Sequence, residues 1–412
     1  VLLDTMRSTL TTLVGICCIF GIISTCIIST DAHDLAVYTI DLDAPPEERY
    51  AGLFNIPNTN FNKTVWKFYN DHFANAPKLT KVLYEISDKR GDENEEQQKE
   101  IEGLAQMSKL PLKFVKSIQM LYELQTIMVP IVNFTQSAAL ASEFLPPEYR
   151  ALSQIPWRGP GCTGIIARTS DGTVSHARNL DFSPTDIMAD LVYEGVFVKG
   201  GKEIFRSQLI AGYTMVITGF KMGADAEDGY VIERNTRYAD HKRGFEEMME
   251  NLFSGRQLNG WTLRKVLESV DNYDEAVAAV AAAPYTSTEY AIMSGVRKGT
   301  IMARNPDGVA HTQVLGEEND KERRDDYIIM TNFDFYWGDV REWFDPTGGN
   351  GMFHPRRVAA EEYLAKHSRP GTITDQVLWD TLNNKGTFAD TVFQGVFNVE
   401  KAAATLTVPD AQ

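Results

Sequence analysis

Residues 161–182, GCTGIIARTSDGTVSHARNLDF, decide how this chain is read. Two β-rich runs, Thr163–Ala167 and Thr173–Arg178, flank a turn carrying Asp171-Gly172. Asp-Gly between alternating runs is a hairpin signal, because glycine accepts the positive φ that such turns need. A two-residue turn pairs positions summing to 343, which sets Cys162 opposite Asp181 with Cβ atoms about 5 Å apart. A three-residue loop, Ser170–Gly172, pairs positions summing to 342. That register joins Gly164 to Arg178 and puts Arg178 on the cysteine's face. Both registers bring charged groups to one thiol. In the first, His176 opposes Ala167, about 16 Å along the strand from Cys162, too far for direct proton transfer. A base for Cys162 must come from elsewhere. The cysteine's own α-amine qualifies if the chain is cut between Gly161 and Cys162, since an α-amino group titrates near pH ~7.7–8.0.

The rest of the chain narrows the context. Of four cysteines, Cys17, Cys18 and Cys26 lie in or beside the apolar run Leu10–Ile28, which follows Met6-Arg7 and precedes Thr30-Asp31-Ala32. This reads as a secretory signal over residues 1–32, or as a signal anchor. Cys162 is then the one cysteine of the mature chain, without a partner for a disulfide. Asn62-Lys63-Thr64 and Asn133-Phe134-Thr135 are glycosylation sequons, at Asn62 and Asn133. The formal charge of −16 argues against nucleic-acid binding, which needs cations along phosphates. Gly159, Gly161 and Gly164 satisfy G-x-G-x-x-G, but strand-forming residues follow where a helix should begin, so no dinucleotide site is expected. No cofactor is expected, and the scattered histidines give no metal site.

Residues 64–149 show helical spacing in Val65, Phe68, Tyr69 and Phe73, then in Leu79, Val82, Leu83 and Ile86. The charged run 87–102 reads as a solvated loop entering a helix, and 110–130 as a buried helix. Beyond Cys162, strands are expected at 191–198, 203–210, 213–218, 290–294, 299–303, 310–315, 327–331 and from 391. Helices are expected at 243–253, 263–269, 273–283, 357–366 and 375–383. Clustered helices with many strands make an α+β layered fold.

Cys162-Thr163, followed at 178–181 by Arg-Asn-Leu-Asp, resembles the nucleophile hairpin of the acid ceramidase and N-acylethanolamine acid amidase family of N-terminal-nucleophile cysteine amidases. The likeness extends, in order, through Tyr38–Pro46, Tyr122-Glu123-Leu124, Ala211-Gly212-Tyr213 with Thr218–Lys221, Glu233-Arg234, Thr331–Asp334 and Arg356-Arg357.

The resemblance implies an αββα sandwich (residues 162–412) preceded by a helical α-segment (33–161), the two parts arising by self-cleavage at Gly161-Cys162 and staying together as a non-covalent heterodimer. It implies Cys162 as nucleophile, Asp181 holding the freed amine, Arg178 orienting the thiolate, Asn332 donating to the oxyanion, Arg356 pairing with acidic groups, and Glu233 assisting self-cleavage. It further implies a lysosomal or secreted hydrolase of N-acyl lipids with transient lipid-surface contact. Ceramide is the first choice of substrate and N-acylethanolamine the alternative; a non-catalytic lipid-binding protein of the same fold is the contrasting class. One departure stands out: residues 125–161 separate Leu124 from Cys162, where the family has only a few residues.

Overall fold

The computed structural model describes residues 35–91, 94–132, 145–154, 161–222, 228–238, 245–317, 326–339, 342 and 354–409. The expected signal, the Asn133 sequon and much of the 125–161 insertion lie outside them. Among the described residues, no helix is long and apolar enough to cross a membrane.

Strand β1 (Ala36–Asp41) opens the described chain. Helices α1 (Phe61–Tyr69), α2 (Pro77–Arg90), α3 (Glu95–Ser108), α4 (Leu112–Gln119) and α5 (Leu121–Val132) follow. Asn94 starts α3 by accepting the Gln97 amide with its side chain, which satisfies a donor the helix cannot. The hairpin carrying Cys162 is β2 (Gly161–Arg168) and β3 (Val174–Asp181), followed by the short helix α6 (Thr185–Ala189). Next come β4 (Val192–Lys199), β5 (Lys202–Ile210), β6 (Thr218–Lys221) and β7 (Tyr230–Thr236). Helices α7 (Phe245–Leu252), α8 (Asn259–Ser269) and α9 (Tyr273–Ala282) separate these from β8 (Glu289–Gly295), β9 (Lys298–Asn305), β10 (Gly308–Val314) and β11 (Tyr327–Met330). Helices α10 (Arg356–His367) and α11 (Asp375–Leu382) lead to β12 (Thr391–Asn398) and β13 (Ala403–Thr407).

The strands form an eight-stranded sheet, β1-β4-β5-β6-β7-β8-β9-β10, and a five-stranded sheet, β11-β2-β3-β12-β13. Side-chain alternation along β2 shows the layering. Ile165 and Ala167 pack with Ala360, Leu364, Leu378 and Leu382 of α10 and α11. Ile166, from the other face, packs with Tyr290, Ile292 and Ile301 of the larger sheet. A side chain added at Gly219 would strike Leu267 of α8, and one at Gly295 would strike Tyr273 of α9, so these helices cover that sheet's far face. The order helix, sheet, sheet, helix is the expected αββα sandwich.

Four expectations need correction. The 33–161 segment is not wholly helical: β1 pairs in parallel with β4, so the sandwich includes a strand from before the cysteine. The charged run is largely helix, and Glu100 within it is fully buried between Arg49 and Arg264. The apolar run 110–130 is two helices broken at Met120, and α5 continues to Val132 across the start of the supposed insertion. In the run 213–218, only Thr218 belongs to a strand. Strand β7 was unforeseen, because its alternation is hidden by burial on both faces.

Candidate active site

The hairpin settles the register. Cys162 pairs with Leu180, Gly164 with Arg178, and Gly161 with Asp181, so pairs sum to 342 throughout. The turn is the three-residue loop, closed by Gly172 N–H donating to Thr169 O with Gly172 at φ +85°. The two-residue alternative is therefore wrong, and with it the placing of Asp181 across from the thiol. Alternation puts Cys162, Gly164, Arg178 and His176 on the face turned to the larger sheet. Asp181 projects to the other face beside Gly161. His176 opposes Ile166 rather than Ala167.

Cys162 is fully buried. Arg178 Nη2 donates to its Sγ at 3.4 Å, and the Tyr122 hydroxyl of α5 lies 3.8 Å from the same sulfur. Burial pushes the Cys162 thiol up, and the Arg178 charge works against that push. The guanidinium is fixed on its remaining sides by Ile217 O at 3.0 Å, Arg234 O at 3.1 Å and the Thr218 hydroxyl.

The backbone of Cys162 is held as firmly as its side chain. Its N–H donates to Asn332 Oδ1 at 3.1 Å, and its carbonyl accepts from Arg356 Nη1 at 2.9 Å. Asn332 Nδ2 donates to Thr236 O at 2.8 Å. Arg356, the first residue of α10, also donates to Asn332 Oδ1 at 2.5 Å and to Asp181 Oδ2 at 2.7 Å. Thr391 donates to Asp181 Oδ1 at 2.6 Å. A Cβ at Gly161 would lie 3.2 Å from both Asp181 Oδ2 and Arg356 Nη2, so these groups abut the residue preceding the cysteine.

Glu233 comes from β7. Its Oε2 meets His176 Nε2 at 2.7 Å, and its Oε1 stands 3.9 Å from Arg178 Nε. Next to it, Arg234 turns the opposite way and pairs with Glu123 of α5 at 2.8 Å and Glu289 of β8 at 2.6 Å. The Tyr122 ring lies beneath the Arg234 guanidinium, 4.1 Å from its centroid. Burial drives the Glu289 carboxyl up to about 7, with Arg234 opposing.

All six residues expected from the sequence thus cluster, directly or through one intermediary, around the Gly161–Cys162 peptide. Sequence reasoning missed His176, Tyr122 and Thr391 as members. The corrected register was the available signal for His176, since it shares a face with Arg178 two residues on. Tyr122 stood in the Tyr122-Glu123-Leu124 likeness without being given a site role, and Thr391 is brought in by sheet packing and left no local trace. Asn62 lies exposed on α1.

A buried cysteine gripped by a guanidinium, at the head of a hairpin in an αββα sandwich, defines a candidate cysteine hydrolase of the N-terminal-nucleophile type. No family model matches the chain. Among curated proteins it is 25% identical over 299 residues to an N-acylethanolamine-hydrolyzing acid amidase of Caenorhabditis elegans, covering 72% of this chain and 74% of that one. It is 24% identical over 386 residues to an acid ceramidase of Heterocephalus glaber, covering 88% and 83%. A solved Caenorhabditis elegans N-acylethanolamine-hydrolyzing acid amidase ortholog superposes with a TM-score of 0.46 at 24% identity, covering 60% of this chain and 100% of that one. Over most of its length the chain is thus similar to acid ceramidases and N-acylethanolamine-hydrolyzing acid amidases.

Proposed function

We propose that this chain is a self-processing amidase that hydrolyses the amide bond of N-acyl lipids. The observation carrying this reading is Cys162 itself, with its sulfur on Arg178, its nitrogen on Asn332 and its carbonyl on Arg356.

Self-cleavage comes first. Sγ attacks the Gly161 carbonyl, the Gly161–Cys162 C–N bond breaks, and the nitrogen leaves protonated as the α-amine of Cys162. Water then hydrolyses the thioester and frees the Gly161 carboxylate. Glu233, whose Oε1 stands 3.9 Å from the Arg178 guanidinium that holds the sulfur, serves proton movement in this step. Asp181 and Arg356, packed against Gly161, hold the scissile residue and then the new charges.

Turnover reuses the same atoms. The freed amine takes the Cys162 thiol proton as Sγ adds to the substrate carbonyl. Asn332 Oδ1 keeps one amine N–H, which leaves the lone pair for that proton. The second N–H of Asn332 Nδ2 serves the oxyanion. Arg178 stabilises the sulfur charge. Collapse breaks the amide, the amine passes its proton to the leaving amino alcohol, and water releases the fatty acid from the thioester.

The mature protein on this reading is a 33–161 piece and a 162–412 piece held without a covalent bond, routed to the lysosome or secreted, and meeting its lipid at a membrane surface. The relatives' names span both ceramide and N-acylethanolamine chemistry. Ceramide is the first substrate proposed. The test is hydrolysis of labelled ceramide against labelled N-acylethanolamine at pH 4.5 and 7, with Cys162→Ala as control. Release of fatty acid from neither lipid by the cleaved protein would overturn the reading and favour a lipid carrier of the same fold.

A further inference from the structure

We propose that His176 is a positioning residue of this site, holding Glu233 so that the carboxylate does not cancel the positive field of Arg178 at the nucleophile; this rests on the reading of Cys162 as nucleophile.

The imidazole is wholly buried and engaged at both nitrogens. Nε2 meets Glu233 Oε2 at 2.7 Å, and Nδ1 meets Ser294 Oγ of β8 at 3.1 Å. A hydroxyl accepts as well as donates, so the ring can carry both protons and form an imidazolium–carboxylate pair. The other Glu233 oxygen, Oε1, makes no hydrogen bond, and neither does Arg178 Nε, 3.9 Å away. The two charges face each other without the hydrogen bond that would lock them. The Glu233 carboxylate fits here only because Gly164 has no side chain. A Cβ there would lie 2.8 Å from Oε1 and 2.9 Å from Oε2.

The charged and titratable groups around this point are Cys162 from β2, Arg178 from β3, Glu233 from β7 and Tyr122 from α5; Ser294 from β8 is neutral. Asp181, on the far face of the hairpin, also pushes the Cys162 thiol up, but it stands apart from Arg178 and is paired with Arg356. Among these, Glu233 is the anion beside Arg178. With His176 protonated, that anion is matched and Arg178 acts on the sulfur. With His176 replaced by a neutral donor, Glu233 draws on Arg178 alone. The thiolate–ammonium state of the cleaved Cys162 then loses support, and protonation of the nucleophile persists to higher pH.

The experiment measures self-cleavage and kcat/KM from pH 4 to 8 on a fluorogenic fatty-acyl amide. Wild type is compared with His176→Gln, Ser294→Ala and Cys162→Ala. In His176→Gln the acid limb of kcat/KM should move to higher pH by about half a unit or more, with kcat down about tenfold and KM little changed. Ser294→Ala, which keeps the ring, should move the limb the same way by less. A structural role alone would scale the curve without moving it. Profiles of both variants that superimpose on wild type after scaling overturn the proposal, and if His176→Gln does not fold, Ser294→Ala decides by the same criterion. Hydrolysis surviving in Cys162→Ala would instead overturn the assignment of the nucleophile.

Discussion

Arg178 and Cys162 lie on neighbouring strands of one hairpin and on the same face of it, and the Arg178 guanidinium reaches the Cys162 sulfur at 3.4 Å with both side chains excluded from water. An unpaired thiolate in such a place is costly, whereas one beside a fixed cation is much less so. The same cation faces Glu233, so the chemistry of the sulfur and the charge state of the neighbouring carboxylate are coupled.

Removing the sulfur tests the whole scheme at once. Cys162→Ala should accumulate as one uncut chain and hydrolyse neither lipid. Denaturing electrophoresis and intact mass report the cut, and product release reports the activity. A fragment still beginning at residue 162 would mean that another protease performs the cleavage.

Arg178→Lys separates charge from shape. Lysine keeps one positive charge but cannot span Cys162, Thr218 and Arg234 O together. Turnover should fall at least ~100-fold, the scale of losing a preorganised electrostatic contact. Arg178→Ala should cost more in stability, about 3–5 kcal/mol, because Glu233 is left buried with its charge matched only by His176. Thermal melting alongside kcat/KM distinguishes the two effects. Activity near wild type in the lysine variant would rule out an orienting role for Arg178.

How much of this was legible beforehand follows from the kind of signal each residue leaves. The hairpin announced itself through Asp171-Gly172 and two alternating runs, but alternation cannot distinguish a two-residue from a three-residue turn. That single ambiguity moved Asp181 from one face to the other. The helices α8, α9, α10 and α11 were foreseen to within a few residues because each keeps an apolar stripe. Strands β1 and β7 were not: β1 lies at a sheet edge with a mostly polar face, and β7 is buried on both sides. Glu233, Asn332 and Arg356 came from likeness to a family alone, since Asn332 and Arg356 sit 170 and 194 positions from Cys162 and no local pattern connects them. Glu100 shows the converse failure. It sits in a run of charges that looks solvated, yet two arginines from distant segments enclose it.

Glu289 gives the fold a pH dependence of known sign. Its carboxyl titrates near 7 in the folded chain, against 4.5 for the ordinary group. A group with a raised folded-state pKa contributes its stability below the unfolded value and loses it as pH rises through the folded one. The stabilisation is therefore full below about pH 4.5 and declines between there and about 7, by roughly 3 kcal/mol for a shift of this size. Melting temperature should fall over that window in wild type, and Glu289→Gln should flatten the fall. A variant whose melting curve keeps the wild-type slope with pH would show that the loss arises elsewhere.

The junction between the two pieces carries the last prediction. Residues 33–161 contain no cysteine, and residues 162–412 contain only Cys162, which is free. After the proposed cut, the described residues of the two pieces meet through the β1–β4 strand pairing, apolar packing and two buried ion pairs. Arg264 of α8 donates to Glu100 of α3 at 2.5 and 2.7 Å, and Arg234 of β7 donates to Glu123 of α5 at 2.8 Å. Glu100 is shared with Arg49 at 2.7 Å, so its loss takes a carboxylate from two buried guanidinium groups at once, leaving Arg49 with Glu96 and Arg264 with Glu268. Glu100→Gln should weaken the assembly by about 3–5 kcal/mol, the cost of breaking one side of a buried pair. The expected readings are a lower melting temperature and separation of the pieces by size exclusion at a urea concentration that leaves wild type intact. On denaturing gels the wild-type pieces should separate equally with and without reductant. Pieces that co-migrate until a thiol is added would place a second cysteine in the mature protein and refute a boundary at residue 32.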